Sequence, residues 1–128
     1  MYKTAINALK KKYHGRGIED WASETSPQFK QFAKDVKKIF KQIPNVKLEK
    51  FNLGHYYISG FFSKDDKYVY FAYDVPRGEL PLDMERNDAM LGILVRTAKS
   101  TKDYTGGSNN FCAFGDFDKK VQQLLEVN

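Results

Sequence analysis

The chain has 128 residues, 41% of them hydrophobic, with a net charge of +5 and a single cysteine. This size is typical of one domain with its own core, so we expect a single domain, 1–128, and composition excludes a mainly disordered chain. No apolar run approaches the ~18 residues of a membrane span, no signal peptide is recognisable, and Cys112 lacks a partner for an internal disulfide, which together indicate a cytoplasmic protein.

The positive charge is concentrated in the first part of the chain. Residues 1–50 contain 12 Lys and Arg against 5 Asp and Glu, a balance of +7, whereas residues 51–128 have a balance of −2. Such asymmetry indicates an acidic partner or nucleic acid on that side of the molecule. The alternative is that the lysines only solvate helices.

A short helix is predicted near the N-terminus, over residues 3–13. Ile6, Leu9 and Tyr13 share one face at helical spacing. The only tryptophan, Trp21, follows in a further turn and is expected in the core. An exposed Trp21 would instead stack on a nucleic-acid base.

The second helix has the strongest pattern in the sequence. Ser26 is a suitable N-cap, Pro27 suits the first helical position, and Pro44 ends the helix. Apolar residues recur every three or four positions from Phe29 to Ile43, which predicts a buried stripe. The other side carries Lys30, Lys34, Lys37, Lys38 and Lys41. This lysine face is expected either to be solvated or to contact an anionic partner.

From residue 46 the hydrophobic period changes from helical to alternating. Val46–Leu53, His55–Ser63 and Tyr68–Asp74 are predicted as successive strands of an antiparallel meander. The alternation slips between Leu48 and Phe51, which predicts a β-bulge. One face of the sheet should pack on the second helix. The other face is also aromatic, and it should be either covered by the terminal helices or partly exposed.

A long acidic connection, 75–90, follows the meander. Pro76, Gly78 and Pro81 argue against regular structure before Leu82. A connection of this length suits a lid, a partner-contact loop or a simple crossover.

Further strands and a last helix are predicted beyond the connection. Leu91–Lys99 is the fourth strand, and the short apolar run 111–114 adds a fifth. Asp116 caps a final helix in which Phe117 and Val121 face inward. The order of elements predicts an α+β fold, with an antiparallel sheet of four to five strands packed against N-terminal and C-terminal helices.

The polar stretch from Arg96 to Asn110 is the first candidate for a functional surface. Its cations, hydroxyls and glycine pair suit the binding of phosphate or another anion, and loops presented by a strand often carry function. The alternative is an ordinary hairpin loop. The binding candidates here are Arg96, Lys99, Lys102, Tyr104 and Asn109. The lysine face of the second helix is the second candidate surface.

The exposed strand tyrosines are a further option for binding. Rings of Tyr56, Tyr57, Tyr68 or Tyr70 could stack on unpaired bases. The alternative is that they form cross-strand pairs that hold the sheet.

Motifs for metals and cofactors are missing from the sequence. His14, His55 and Cys112 follow no ligand spacing, and no Walker loop or GxGxxG is present, so we expect no metal and no cofactor. A small, metal-independent ribonuclease of the toxin type remains an alternative, since it needs only groups that stabilise a phosphorane and move a proton. Those groups would be Arg96, Lys99, Lys102, Tyr104 and His55.

Three segments give the chain a resemblance to a known group. They are FNLGHYYISGFF (Phe51–Phe62), KYVYFAYDV (Lys67–Val75) and ILVRTAKSTKDYTGGSNNF (Ile93–Phe111). In these segments the chain resembles a family of small uncharacterised proteins carried by phages and conjugative elements of Gram-positive bacteria. The resemblance implies an accessory gene of a mobile element, and such genes often encode inhibitors of host defence, including anti-CRISPR and anti-restriction proteins.

The leading hypothesis is therefore a non-enzymatic binding protein that inhibits a host nucleic-acid-targeting defence. It would bind a defence effector protein or its nucleic acid in the cytoplasm of the bacterial host, without a membrane. The acidic connection would suit a basic effector, whereas the lysine helix would suit nucleic acid. A third hypothesis is a structural or virion component that assembles through its sheet edge.

Overall fold

The computed structural model describes residues 1–14, 16–17, 27–54, 57–74, 79–80, 82–85, 87, 92–105 and 107–127. The described α-helices are α1 Tyr2–Lys12, α2 Pro27–Phe40 and α3 Phe117–Leu124, and short 3₁₀ helices lie at Leu82–Glu85 and Phe114–Asp116. The strands are β1 Arg16–Gly17, β2 Lys47–Gly54, β3 Tyr57–Lys64, β4 Lys67–Asp74, β5 Glu79–Leu80, β6 Ile93–Ala98 and β7 Asn110–Cys112. Predicted features outside the described residues are the Ser26 cap, Trp21, His55, Tyr56 and most of the connection 75–90. The α+β prediction is confirmed.

The main sheet has the strand order β2-β3-β4-β6-β7, and all neighbours are antiparallel. β1 and β5 form a separate short ladder, in which Arg16 pairs with Leu80 and Gly17 with Glu79. The expectation of no regular structure before Leu82 is therefore wrong for β5. A strand of two residues has no hydrophobic period, so no local pattern predicts it.

The core lies between one face of the main sheet and the helices, and Phe40 of α2 stands at its centre. Phe40 is 2% exposed, and its ring centroid lies 4.4 Å from that of Phe117 in α3 and 5.4 Å from that of Phe71 in β4. The rings of Phe51 in β2 and Phe62 in β3 lie at 6.3 and 6.1 Å. One side chain therefore joins two helices to three strands.

Residues from the three described α-helices share one buried cluster with the core-facing residues of the strands. The helices thus pack on a single side of the sheet. The expectation that the terminal helices cover the second face is wrong, whereas the expectation of partial exposure is right, since Tyr57 on that face is 41% exposed.

α2 ends at Phe40, earlier than the end at Pro44 that the apolar stripe predicts. The amides of Gln42 and Ile43 bond to carbonyl oxygens three residues back, which tightens the last turn. Asn45 then adopts a left-handed conformation with φ of 68° and turns the chain toward β2. Ile43 nevertheless stays in the core at 3% exposure.

The predicted bulge is present in β2. The pairing register with β3 shifts between Leu48 and Lys50, so Glu49 is the extra residue. After the bulge, Phe51 and Leu53 stand half-buried on the core side of the sheet. The bulge thus corrects the slip in the alternation and keeps the apolar side chains of β2 on one face.

Asp35 connects α1 to α2. Its carboxylate accepts hydrogen bonds from the ammonium of Lys12 at 2.7 Å, the hydroxyl of Tyr13 at 2.8 Å and the amide of Gln31 at 2.9 Å. Burial tends to raise the pKa of Asp35, but these hydrogen bonds outweigh burial and hold the pKa below its ordinary value of 3.8.

Phe40→Ala should destabilise the fold by about 3–5 kcal/mol, because it removes a buried ring and leaves a cavity among the others. Urea unfolding measures the change. Lys38→Ala on the exposed side of α2 is the control and should stay within about 0.5 kcal/mol of the parent. Similar losses for the two variants would contradict the central role of Phe40.

Asp35→Asn should lower the melting temperature near pH ~7, and the difference from the parent should shrink in acid. The sign follows from the lowered pKa: ionised Asp35 stabilises the fold above its unfolded pKa, and this stabilisation is lost as pH falls through the folded pKa. Thermal unfolding from about pH 7 to pH 2.5 tests it, with Asp65→Asn in the exposed β3–β4 turn as control. A difference that stays constant over this range would refute the assignment.

Candidate functional site

The sheet face opposite the helices carries one row of side chains across four strands. Lys50 of β2, Phe61 of β3, Tyr70 of β4 and Arg96 of β6 are successive cross-strand partners. Partners in antiparallel strands point to the same face. Phe61 is only 6% exposed although it faces away from the helices, so the middle of this row is covered.

The cover includes the connection between β6 and β7, residues 99–109, called here the β6–β7 loop. The ammonium of Lys50 donates a hydrogen bond of 3.1 Å to the carbonyl oxygen of Thr101. The ring of Tyr104 stacks on that of Tyr70 with centroids 4.8 Å apart. The loop therefore crosses the sheet from β6 to the edge strand β2.

Arg96 holds the far end of the β6–β7 loop. Its Nη2 donates to the carbonyl oxygen of Gly107 at 2.6 Å, and its Nη1 donates to Oδ1 of Asn109 at 3.0 Å. A Cβ atom at Gly107 would collide with the carbonyl oxygen of Thr97 and lie 2.6 Å from its Oγ1. Only glycine therefore allows the loop to approach β6 so closely.

The tip of the loop is a hydrogen-bonded turn. The amide of Lys99 donates to the carbonyl oxygen of Asp103 at 3.0 Å, and the amide of Lys102 donates to Oγ of Ser100 at 3.1 Å. The carboxylate of Asp103 accepts from the hydroxyl and the amide of Thr105, and these bonds hold the pKa of Asp103 below its ordinary value. The turn accounts for Ser100, Asp103 and Thr105 by hydrogen bonds within the loop, whereas the side chains of Lys99 and Lys102 are exposed.

The predicted loop residues fall into two groups. Arg96 and Asn109 bond to each other, and Tyr104 stacks on the sheet, although it is 50% exposed. Lys99 and Lys102 are exposed at the tip. Arg96 of β6 thus contacts the loop that carries the other four candidates.

The predicted tyrosines behave differently from one another. Tyr70 lies between the ring of Phe61, at 5.2 Å, and that of Tyr104, and burial raises its pKa. Tyr57 is more exposed, and its ring lies against Gly54 of β2. Packing against neighbouring rings therefore explains the position of the Tyr70 ring, whereas the ring of Tyr57 is partly exposed to solvent.

The lysines of α2 form a second surface on the opposite side of the sheet, called here the lysine stripe. Its members are Lys30, Lys34, Lys37 and Lys38 of α2 and Lys41 in the turn directly after it, and all are exposed. None of them forms a salt bridge with the residues that the structure describes. The single acid of α2, Asp35, instead bonds to α1. At a helical rise of 1.5 Å per residue, the stripe extends over about 16 Å.

A groove with a volume of about 480 Å³ lies between the N-terminal half of α2 and β2, called here the α2–β2 groove. Its rim carries Lys30, Lys34 and Lys37, and its floor includes Ala33, Phe51 and Leu53. The sequence pattern placed these apolar residues in the core. It could not show that α2 leaves Phe51 and Leu53 partly open, because that depends on how the helix packs on the strand that follows it.

The described residues were also compared with the requirements of a cysteine nucleophile, a metal site and a membrane-spanning helix. Burial raises the pKa of Cys112 to about 12, so its thiol stays protonated and is a poor nucleophile. No three His, Cys, Asp or Glu side chains are grouped there in a way that could hold a metal ion. Within the same ranges, no helix has both the length and the apolar character needed to cross a bilayer.

Comparison of the chain with protein-family models, with curated proteins and with solved structures gives no match.

Arg96→Ala should destabilise the protein by about 1–3 kcal/mol, because two charge-assisted hydrogen bonds to the loop are lost. Amide exchange should become faster in residues 99–109 than in α2. Lys102→Ala is the control, since the exposed side chain of Lys102 lies at the loop tip. Unchanged exchange in the Arg96 variant would show that this residue does not hold the loop.

Proposed function

We propose that this chain is a non-enzymatic binding protein whose lysine stripe holds an anionic partner. The observation that carries the proposal is the exposure of five lysines along one side of α2 without an acidic partner in the described part of the chain. Clustered charge of one sign attracts oppositely charged macromolecules and speeds their association. Phosphates and carboxylates are both suitable partners for lysine ammonium groups.

The biological role that we propose is that of an accessory protein of a mobile element. It would inhibit a host defence that targets nucleic acid, by binding the effector protein or its nucleic acid in the cytoplasm of the bacterial host. The resemblance of Phe51–Phe62, Lys67–Val75 and Ile93–Phe111 to proteins of phages and conjugative elements supports this role, as does the split of charge along the chain.

The described contacts favour binding over the ribonuclease alternative. Catalysis needs a proton-transfer group and a phosphate-stabilising group within reach of one substrate. Arg96 donates two N–H groups to Gly107 and Asn109, and the ring of Tyr104 stacks on that of Tyr70, so both side chains are engaged within the protein. A charged surface needs no such convergence.

The test is binding of labelled single- and double-stranded DNA and RNA, and of polyglutamate, across a salt series. Reversal of three stripe lysines, Lys34→Glu, Lys38→Glu and Lys41→Glu, should weaken binding by roughly tenfold or more. For nucleic acid, it should also reduce the slope of the logarithm of the binding constant against the logarithm of the salt concentration. The expected reduction is about one for each lysine that contacts a phosphate.

The matched control reverses three exposed lysines elsewhere, with Lys3→Glu, Lys11→Glu and Lys119→Glu, so the net charge changes equally. Equal weakening by the control would show that net charge and not the stripe governs binding. Absence of binding at low salt would overturn the proposal. Cut RNA in the presence of excess EDTA would favour the ribonuclease instead.

A further inference from the structure

We propose that the α2–β2 groove receives an extended acidic segment of a protein partner, which adds to the sheet along the outer edge of β2. The inference rests on the proposed function, because lysines of the stripe form the rim of the groove. It goes further by naming the class of partner, a polypeptide, and the way in which it is bound.

The backbone of β2 supplies the first argument. β2 is the first strand of the main sheet and pairs only with β3 among the described elements. On its outer edge, every second residue directs an N–H and a C=O away from β3. Another polypeptide strand satisfies such alternating donors and acceptors, whereas a phosphate backbone offers acceptors alone.

The floor of the groove supplies the second argument. Phe51 and Leu53 are only half-buried and stand on the side of β2 that faces α2. The ring of Phe51 is held by Phe40, at 6.3 Å, and by Phe71, at 6.2 Å, so the floor has a fixed shape. In an added strand, alternate side chains would point toward α2, and small apolar ones there would bury this floor.

The charge of the rim supplies the third argument. Lys30, Lys34 and Lys37 line the groove and lack a described acidic partner, which favours carboxylates in the occupant. A second copy of this chain fits poorly, because pairing of two β2 edges would bring Lys50 of each copy, and both stripes, together. Like charges at such edges oppose self-association.

The open edge of β2 and the row of lysines on α2 have comparable lengths along the groove. The bulge at Glu49 interrupts regular pairing, so the usable edge runs from Lys50 to Gly54, about 14 Å at ~3.4 Å per residue step. Lys30 and Lys37 are separated by about 10 Å along the helix axis. An occupant of about five to seven residues therefore spans the groove.

The experiment uses a fluorescein-labelled capped peptide with the order Glu-Thr-Val-Thr-Val-Thr-Glu, about seven residues long. Its valines and glutamates share one side of an extended strand, so they match the floor and the rim together. Fluorescence anisotropy measures its binding to the intact protein. Two further peptides carry N-methyl groups on either the odd or the even residues, which removes the N–H donors of one strand edge at a time.

Binding to the outer edge of β2 predicts that one N-methylated peptide loses roughly tenfold or more in affinity while the other keeps it. Lys30→Glu with Lys34→Glu and Lys37→Glu should weaken binding by a similar factor, and Leu53→Thr by a smaller one. The control with Lys3→Glu, Lys11→Glu and Lys119→Glu should bind as the parent does. Circular dichroism establishes that each variant is folded.

The outcomes separate this inference from the proposed function. If polyglutamate and nucleic acid bind through the stripe but the peptide does not bind, or binds equally well with either edge methylated, the groove assignment is overturned and the proposed function stands. If single-stranded nucleic acid displaces the peptide and loses affinity on Leu53→Thr, the groove is a nucleic-acid site and the inference is overturned. If no polyanion binds, both fail.

Discussion

The packing of Phe40 is the constraint on which the rest of the structure depends. Its ring meets rings from α3 and from β2, β3 and β4, so it fixes both the height and the rotation of α2 above the sheet. Close-packed interiors tolerate little rotation of a helix. With Phe40 inward, Asp35 must face α1, and the lysine stripe must face β2 and the solvent. The candidate binding surface is thus a consequence of core packing.

The second face of the sheet shows how a polar loop can cover apolar rings. Phe61 and Tyr70 would stand open on the side without helices, but Tyr104 and the β6–β7 loop lie over them. Hydrogen bonds from Lys50 and Arg96 hold the loop at its tip and at its end next to β7, respectively. A loop that looks like a ligand-binding element in sequence therefore also stabilises the sheet.

The outer edge of β2 can form hydrogen bonds with another strand. An unpaired strand edge can accept a partner strand, but it can also promote aggregation. The bulge at Glu49 and the charge of Lys50 oppose pairing with a second copy, whereas the outer edge after the bulge has no partner strand among the described residues. In the proposed binding mode, charge would select among partners that the backbone alone would not distinguish.

Local periodicity by itself determined most of the elements and the α+β class. Helical spacing from Phe29 defined α2, and alternation with one slip defined β2 with its bulge, because buried faces require these periods. Only the tertiary structure decided the β1–β5 ladder, the place of the β6–β7 loop and the groove beside Leu53. Each of these depends on contacts between separate elements of the chain. Hydrophobic periodicity is a local property, so it does not specify which elements come into contact.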